Sequence, residues 1–122
     1  MHLYIDDARD FYHEHAVVCR TGENGILVAR GLAKHITVLY MDHDLGPGIN
    51  GQQVLRRLMG GTDTNLPPRG PFGETLVPEH DPVRPPLVVL ITMNPVGYNA
   101  MAEILKDYGY EADGVDRYRR KP

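Results

Sequence analysis

The chain has no tryptophan, a single cysteine and no long run of apolar residues. The lone Cys19 cannot form an internal disulfide, which fits a reducing compartment and gives no zinc site by itself. No segment is apolar over the ~20 residues that a membrane-spanning helix needs. Asp6 and Asp7 lie where a signal peptide would need an apolar region. We therefore expect a cytoplasmic protein without membrane association.

The chain also has little net charge, −3 at pH 7. This balance gives no general electrostatic support for binding duplex nucleic acid. The exception is the basic stretch Arg117 to Lys121, which predicts either a solvated tail or a contact with a phosphate or an acidic partner. The length of 122 residues and the hydrophobic share of 42% indicate one globular domain over 1–122.

Apolar runs alternate with helical periodicity along the chain. Buried strands are predicted at residues 2–6, 16–20, 35–41 and 87–91, and helices after Thr21, over 52–59 and from Asn94-Pro95 to about Tyr108. Residues 114–118 are expected to add a last edge strand. This order predicts an α/β fold of flavodoxin-like topology, a compact parallel sheet with helices on both faces, truncated at the last helix.

Residues 60–86 break this alternation. They hold seven of the ten prolines and four of the thirteen glycines. Such a composition predicts a long surface loop, either a lid, a surface for a protein partner, or a tolerated insertion.

Acidic residues follow the first and third predicted strands. Asp6 and Asp7 end the first strand, and Asp42-His43-Asp44 ends the third. The carboxyl ends of parallel strands share one crevice, so these carboxylates should meet there. Crowded carboxylates repel one another unless a cation or a shared proton neutralises them, which favours a magnesium site. The alternative for Asp6-Asp7 is a helix cap or a turn.

Other polar residues near this crevice suit phosphate chemistry. His43 could transfer protons near neutral pH, or merely orient its turn. Thr92 and Asn94, with the backbone amide of Gly97 at a helix N-terminus, could bind a phosphate. Arg9 could do the same, or pair with Asp7.

These motifs resemble a known family. The resemblance is to cyclic-phosphate processing receiver domains, which derive from response-regulator receivers. Three motifs carry it: the acidic pair with Arg9, the stretch Met41-Asp42-His43-Asp44-Leu45-Gly46, and the stretch 92–97 with Asn94-Pro95 and Gly97. That family is built around an acidic pair plus Arg, an L-D-H-D-L-G element and an H-S-x-N-P-x-G element. Its members are frequent in bacteria and their phages.

The resemblance implies a receiver-like fold and metal-assisted processing of cyclic phosphates on nucleotides or RNA. Position by position, the metal ligands would be Asp6, Asp7, Asp42 and Asp44, and the catalytic pair would be Asp42 and His43, with Asp42 or a metal-activated water attacking and His43 moving the proton. The residues steadying the phosphate would be Arg9, Thr92, Asn94 and Gly97. Ile91 departs from the family pattern, which has His at that position.

Three functions remain open at this point. The first is magnesium-dependent hydrolysis of a small cyclic-phosphate ligand. The second is a signalling receiver that is phosphorylated on Asp42. The third is a catalytically degenerate receiver-like module that binds a protein partner through the loop 60–86, which the absent histidine at position 91 favours.

Overall fold

The computed structural model describes residues 1–8, 13–64, 72 and 80–122. These residues form six strands and three α-helices, with one short 3-10 turn at Ala33–His35. In chain order the elements are β1 (His2–Ile5), β2 (Val17–Cys19), α1 (Gly22–Gly31), β3 (Val38–Met41), α2 (Gly51–Gly60), β4 (Leu87–Leu90), α3 (Pro95–Asp107), β5 (Tyr110–Ala112) and β6 (Arg117–Arg120). Within these ranges no helix has both the length and the apolar character that crossing a bilayer requires.

The sheet has the strand order β2-β1-β3-β4-β6-β5. The first four strands are parallel, whereas β6 runs antiparallel to both β4 and β5. The predicted α/β, receiver-like fold is therefore confirmed, with an antiparallel hairpin added at its C-terminal side.

The hairpin corrects two details of the sequence reasoning. The expected edge strand at residues 114–118 lies instead at Arg117–Arg120, inside the sheet, and β5 forms the edge. The basic stretch is therefore mostly strand rather than a solvated tail, although the side chains of Arg117, Arg119 and Arg120 are exposed. The hydrophobic pattern did not predict β5. This strand has only three residues, of which only Tyr110 is buried, and these are too few to show alternation.

The helices pack on one face of the sheet. Leu3, Leu39 and Val88 are paired across three strands and fully buried beneath the helices. Gly25 of α1 lies directly on Ile5, and α2 contacts both α1 and α3. Right-handed crossovers that all progress in one direction across a sheet place their helices on the same side.

The opposite face of the sheet carries a group of aromatic rings, one of which, His13, comes from the connection between β1 and β2. Tyr4 and Tyr40 stack there with ring centroids 4.0 Å apart, and the ring of His13 lies 4.3 Å from that of His2. The three α-helices of the described residues pack against one another on the other face.

Each helix begins at a side-chain cap that the sequence signals. Thr21 accepts a hydrogen bond from the amide of Asn24 at the start of α1. Asn50 and Gln53 form a reciprocal capping box on α2, which ends at Gly61 with a left-handed φ of 67°. Asn94 caps α3, and Pro95 occupies its first turn.

The described ends of the predicted loop 60–86 are tied to the helical layer. Asp63 accepts hydrogen bonds from Arg30 at 2.8 Å and from His80 at 3.1 Å. Val83 is 3% exposed, and its amide donates to Leu58 at 2.8 Å. The remainder of the loop, 65–71 and 73–79, lies outside the described residues, so its role as a lid or partner surface stays a prediction.

Two glycines of α1 provide a matched test of this packing. A methyl group at Gly25 would lie 2.5 Å from Cδ1 of the fully buried Ile5, whereas one at Gly31 meets nothing within 4 Å. We expect Gly25→Ala to lower the free energy of unfolding by about 1–3 kcal/mol through overpacking. Gly31→Ala should raise it by up to about 1 kcal/mol because the unfolded chain loses freedom. Urea titrations of both variants would check this; equal effects would contradict the packing described here.

Candidate metal centre and phosphate site

Three carboxylates from two neighbouring strands converge at one end of the sheet. Asp6, Asp7 and Asp42 each place a carboxylate oxygen within 4.8 Å of the others. The register dictates this, because Ile5 pairs with Met41 and the amide of Asp42 donates to the carbonyl of Ile5 at 3.1 Å. The predicted convergence of these three side chains is therefore confirmed.

The cluster is electrostatically strained. Asp6 is 4% exposed, although it belongs to a residue type that is rarely buried without a partner. Burial raises the pKa of Asp42 to about 6, and hydrogen bonding to the side chain of Asp6 acts in the same direction. At pH 7 the cluster therefore holds excess negative charge that a cation would relieve.

His43 is held in place on two sides. Its Nδ1 lies 3.0 Å from Oδ1 of Asp44, and its amide donates to Oδ1 of Asp42 at 2.8 Å. The ring packs on Gly97, where a methyl group would lie 2.6 Å from Nδ1. β3 ends at Met41, and the chain turns after it, so the neighbouring side chains of His43 and Asp44 can contact each other.

Asn94 connects this turn to the start of α3. Its Nδ2 donates to Oδ1 of Asp44 at 3.4 Å, and its own Oδ1 accepts from the amides of Val96 and Gly97. The Gly97 amide, which was expected to bind a phosphate, is thus engaged by the helix cap. Thr92 accepts from the Asn94 amide at 3.1 Å, which leaves its hydroxyl proton to donate elsewhere.

The carboxylates open into a shallow cavity of about 430 Å³, whose lining includes Asp44, Ile91, Thr92 and Met93 as well as the cluster. A second cavity, of about 370 Å³, shares Thr92 and Met93 with it and extends past Tyr98. A larger one, of about 690 Å³, lies away from the carboxylates at the C-terminal hairpin.

The structure brings together some of the predicted site residues but not all of them. Asp6, Asp7 and Asp42 form the cluster, whereas Asp44 lies against His43 and Asn94 and is not one of the three. Thr92 lines the same cavity. Arg9 lies outside the described residues. Sequence reasoning did not single out the polar wall of the second cavity, Tyr98, Asn99 and Asp116, because no motif marks it.

Comparison with family models supports this picture. Residues 1–107 match the cyclic-phosphate processing receiver domain. The chain belongs to this family. The match spans β1 to α3, including the whole acidic cluster, and leaves β5 and β6 beyond it. Neither the curated proteins nor the solved structures gave a match.

The donor set fits a hard divalent cation. Carboxylate oxygens are the ligands that magnesium and calcium prefer, and magnesium usually takes only a few of them together with water and phosphate oxygens. The three-carboxylate cluster is typical of the magnesium site of receiver domains. The pKa of Asp42, which burial and hydrogen bonding to Asp6 raise, fits a site that a cation would stabilise.

The pKa of Asp42 predicts a dependence of stability on pH. It lies at about 6 against an ordinary value of 3.8, so the folded protein binds the proton more tightly than the unfolded chain. The contribution of Asp42 to the free energy of unfolding is therefore fully present below about pH 3.8 and is lost as the pH rises to about 6. Without divalent metal, Asp42→Asn should increase the free energy of unfolding at pH 7.5 and leave it nearly unchanged at pH 4. Denaturant titrations in chelator at both pH values would measure this.

Asp44→Asn is the matched control. Hydrogen bonds from His43 and Asn94 lower the pKa of Asp44, so neutralising it should reduce stability at pH 7.5. A loss of stability at pH 7.5 in Asp42→Asn would contradict the assignment of strain to the cluster.

Gly97 is predicted to set the position of His43. In Gly97→Ala the new methyl group must displace the ring and weaken its bond to Asp44. We expect the pKa of Asp44 to rise towards its ordinary value, which NMR titration of its carboxyl carbon would detect. Gly31→Ala, in open space on α1, should leave that pKa unchanged. The prediction is wrong if Gly97→Ala also leaves it unchanged.

Proposed function

We propose that the protein hydrolyses a cyclic phosphate on a nucleotide or an RNA end, with a divalent metal ion, magnesium, as cofactor. The observation that carries this is the convergence of Asp6, Asp7 and Asp42 beside a cavity that a phosphate can enter. Membership in the cyclic-phosphate processing receiver family supports the choice of substrate.

Asp6, Asp7 and Asp42 would hold the metal. When bound, such an ion supplies Lewis-acid polarisation of a phosphoryl oxygen. The chain itself contributes the fixed position of the carboxylates, because each follows a strand whose hydrogen bonds set its backbone. Their mutual repulsion in the free protein favours the loaded state.

His43 would move the proton. Hydrolysis forms a bond from the water oxygen to phosphorus and breaks one ring P–O bond, and the water proton ends on the oxygen that leaves. Nδ1 of His43 is committed to Asp44, so Nε2 is the nitrogen that would carry the proton. Asp44 thereby orients the imidazole and fixes its tautomer.

Thr92 and Asn94 would steady the phosphate. The Thr92 hydroxyl lines the cavity and has a proton to donate, and Nδ2 of Asn94 makes only a long bond of 3.4 Å to Asp44. On the evidence of the sequence alone, we also propose that Arg9 binds the phosphate. Gly97 acts by making room for His43 rather than through its amide, which the cap occupies.

Ile91 favours a competing function. It lines the cavity where the family pattern has a histidine, so a proton carrier is missing from that position. A chain that has lost catalysis could keep the scaffold as a protein-binding module, with the loop 60–86 against its partner. Phosphorylation of Asp42 as a signal is the third option, since the acidic cluster and Thr92 also serve ordinary receivers.

The direct test is turnover of 2′,3′-cyclic nucleotides with and without magnesium. We expect turnover that chelator abolishes, and a loss of at least about 100-fold in Asp42→Asn, because even indirect partners of metal ligands cost 10–100-fold. His43→Gln should lower kcat by about 10²–10⁴-fold, the usual contribution of acid–base catalysis. Product formation by phosphorus NMR would measure both.

Asp107→Asn is the matched control for charge, since Asp107 is exposed at the far end of α3. Its turnover should equal that of the unmodified protein. Stable labelling of Asp42 by acetyl phosphate without turnover would favour the signalling function. No turnover and no labelling, with a partner retained by Asp42→Asn, would favour the binding module.

A further inference from the structure

The second cavity continues the one that holds the carboxylates. Both are lined by Thr92 and Met93, and together they extend from the acidic cluster to Asp116. The second has a volume of about 370 Å³, within the range of about 300–1,000 Å³ typical of small-molecule sites. A ligand whose phosphate lies at the cluster therefore has room to extend in this direction.

The walls of this second cavity are mixed in chemistry. Met93 and Pro95 supply apolar surface, and Met93 is 95% exposed although it is large and apolar. Tyr98, Asn99 and Asp116 supply hydroxyl, amide and carboxylate groups. The flexible thioether of Met93 beside these hydrogen-bonding groups is suited to binding a ligand with a flat, partly polar ring.

Asp116 is held in an unfavourable backbone conformation at this cavity. Its φ is 59°, a left-handed value that non-glycine residues seldom adopt. The carbonyl of Asp116 accepts a hydrogen bond from Leu90 at 2.8 Å, which fixes the turn beside the end of β4. Backbone strain maintained by such bonds concentrates at ligand sites.

Tyr98 belongs to a hydroxyl network that faces Asp116. Its hydroxyl lies 3.0 Å from that of Tyr118. Burial raises the pKa of Tyr98, and hydrogen bonding to Tyr118 and to the Asp116 side chain acts in the same direction. The polar wall is therefore organised before any ligand arrives.

We propose that this cavity binds the nucleoside part of the substrate, with Asn99 and Asp116 recognising the hydrogen-bond donors and acceptors of the base or ribose. The inference rests on the proposed function and assigns the part of the molecule that distinguishes a nucleoside cyclic phosphate from the cyclic phosphate of a simple polyol. Asp116 lies beyond residues 1–107, so the hairpin after the family-matched segment supplies one of the three polar residues of this wall.

The first experiment compares two substrates, a nucleoside 2′,3′-cyclic phosphate and glycerol 1,2-cyclic phosphate. We expect the unmodified protein to have a KM at least tenfold lower for the nucleoside compound. Asn99→Ala and Asp116→Gly should each raise that KM by about 5- to 10-fold, as loss of one or two hydrogen bonds does, and leave kcat within about twofold. The KM for the glycerol compound should not change.

These variants are chosen so that misfolding cannot explain the result. Asn99 is exposed on α3, and glycine accepts the left-handed backbone at position 116 without strain. Glu103→Gln, one turn further along the exposed side of α3, is the matched control and should alter neither KM. Equal KM values for the two substrates, or equal changes in both, would overturn the inference while leaving the proposed function intact.

The second experiment needs no turnover. Titration of the protein with adenosine and guanosine, which carry no phosphate, should shift the amide resonances of Tyr98, Asn99 and Asp116, and Asn99→Ala should weaken this binding. If neither nucleoside shifts these resonances, the inference is wrong. If they shift but no cyclic phosphate is hydrolysed, the proposed function fails and the nucleoside site stands.

Discussion

The crowding of three carboxylates, one of them buried, at one end of the sheet is the constraint on which the account of this protein depends. Parallel pairing of β1 with β3 brings Asp6 and Asp42 to the same end of the sheet, and Asp7 completes the cluster. Hydrogen bonds of the sheet hold the backbone there, so the charges cannot separate without disrupting strand pairing. Protonation of Asp42 or binding of a cation are the two ways to relieve the strain, and only the second suits neutral pH.

The turn after β3 links this cluster to the start of α3. Asp44 bonds the ring of His43, and Asn94 bonds Asp44 while capping the helix. Close packing of His43 on Gly97 requires a residue without a side chain at that position. Asp42, His43, Asp44 and Asn94 are therefore positioned by one hydrogen-bonded unit rather than by independent loops.

Much of the fold and of the cluster could be predicted from the sequence, because short-range signals control both. Apolar runs mark the strands, Asn94-Pro95 marks the start of α3, and acidic residues directly after strands mark the crevice. The features that could not be predicted from the sequence depend on tertiary contacts. The strand β5 is too short to show periodicity, and the Gly97 amide expected to bind phosphate donates to Asn94 instead. The wall formed by Asp116 depends on a hairpin that folds back beside β4.

The titration of Asp42 with and without magnesium tests the central claim most directly. In chelator, carboxyl-carbon NMR should show a midpoint at about pH 6, the value that burial and hydrogen bonding to Asp6 produce. With saturating magnesium the midpoint should fall well below that value, because a bound cation favours the ionised carboxylate. A midpoint that remains near 6 in the presence of magnesium would show that Asp42 is not a ligand, and would contradict the account.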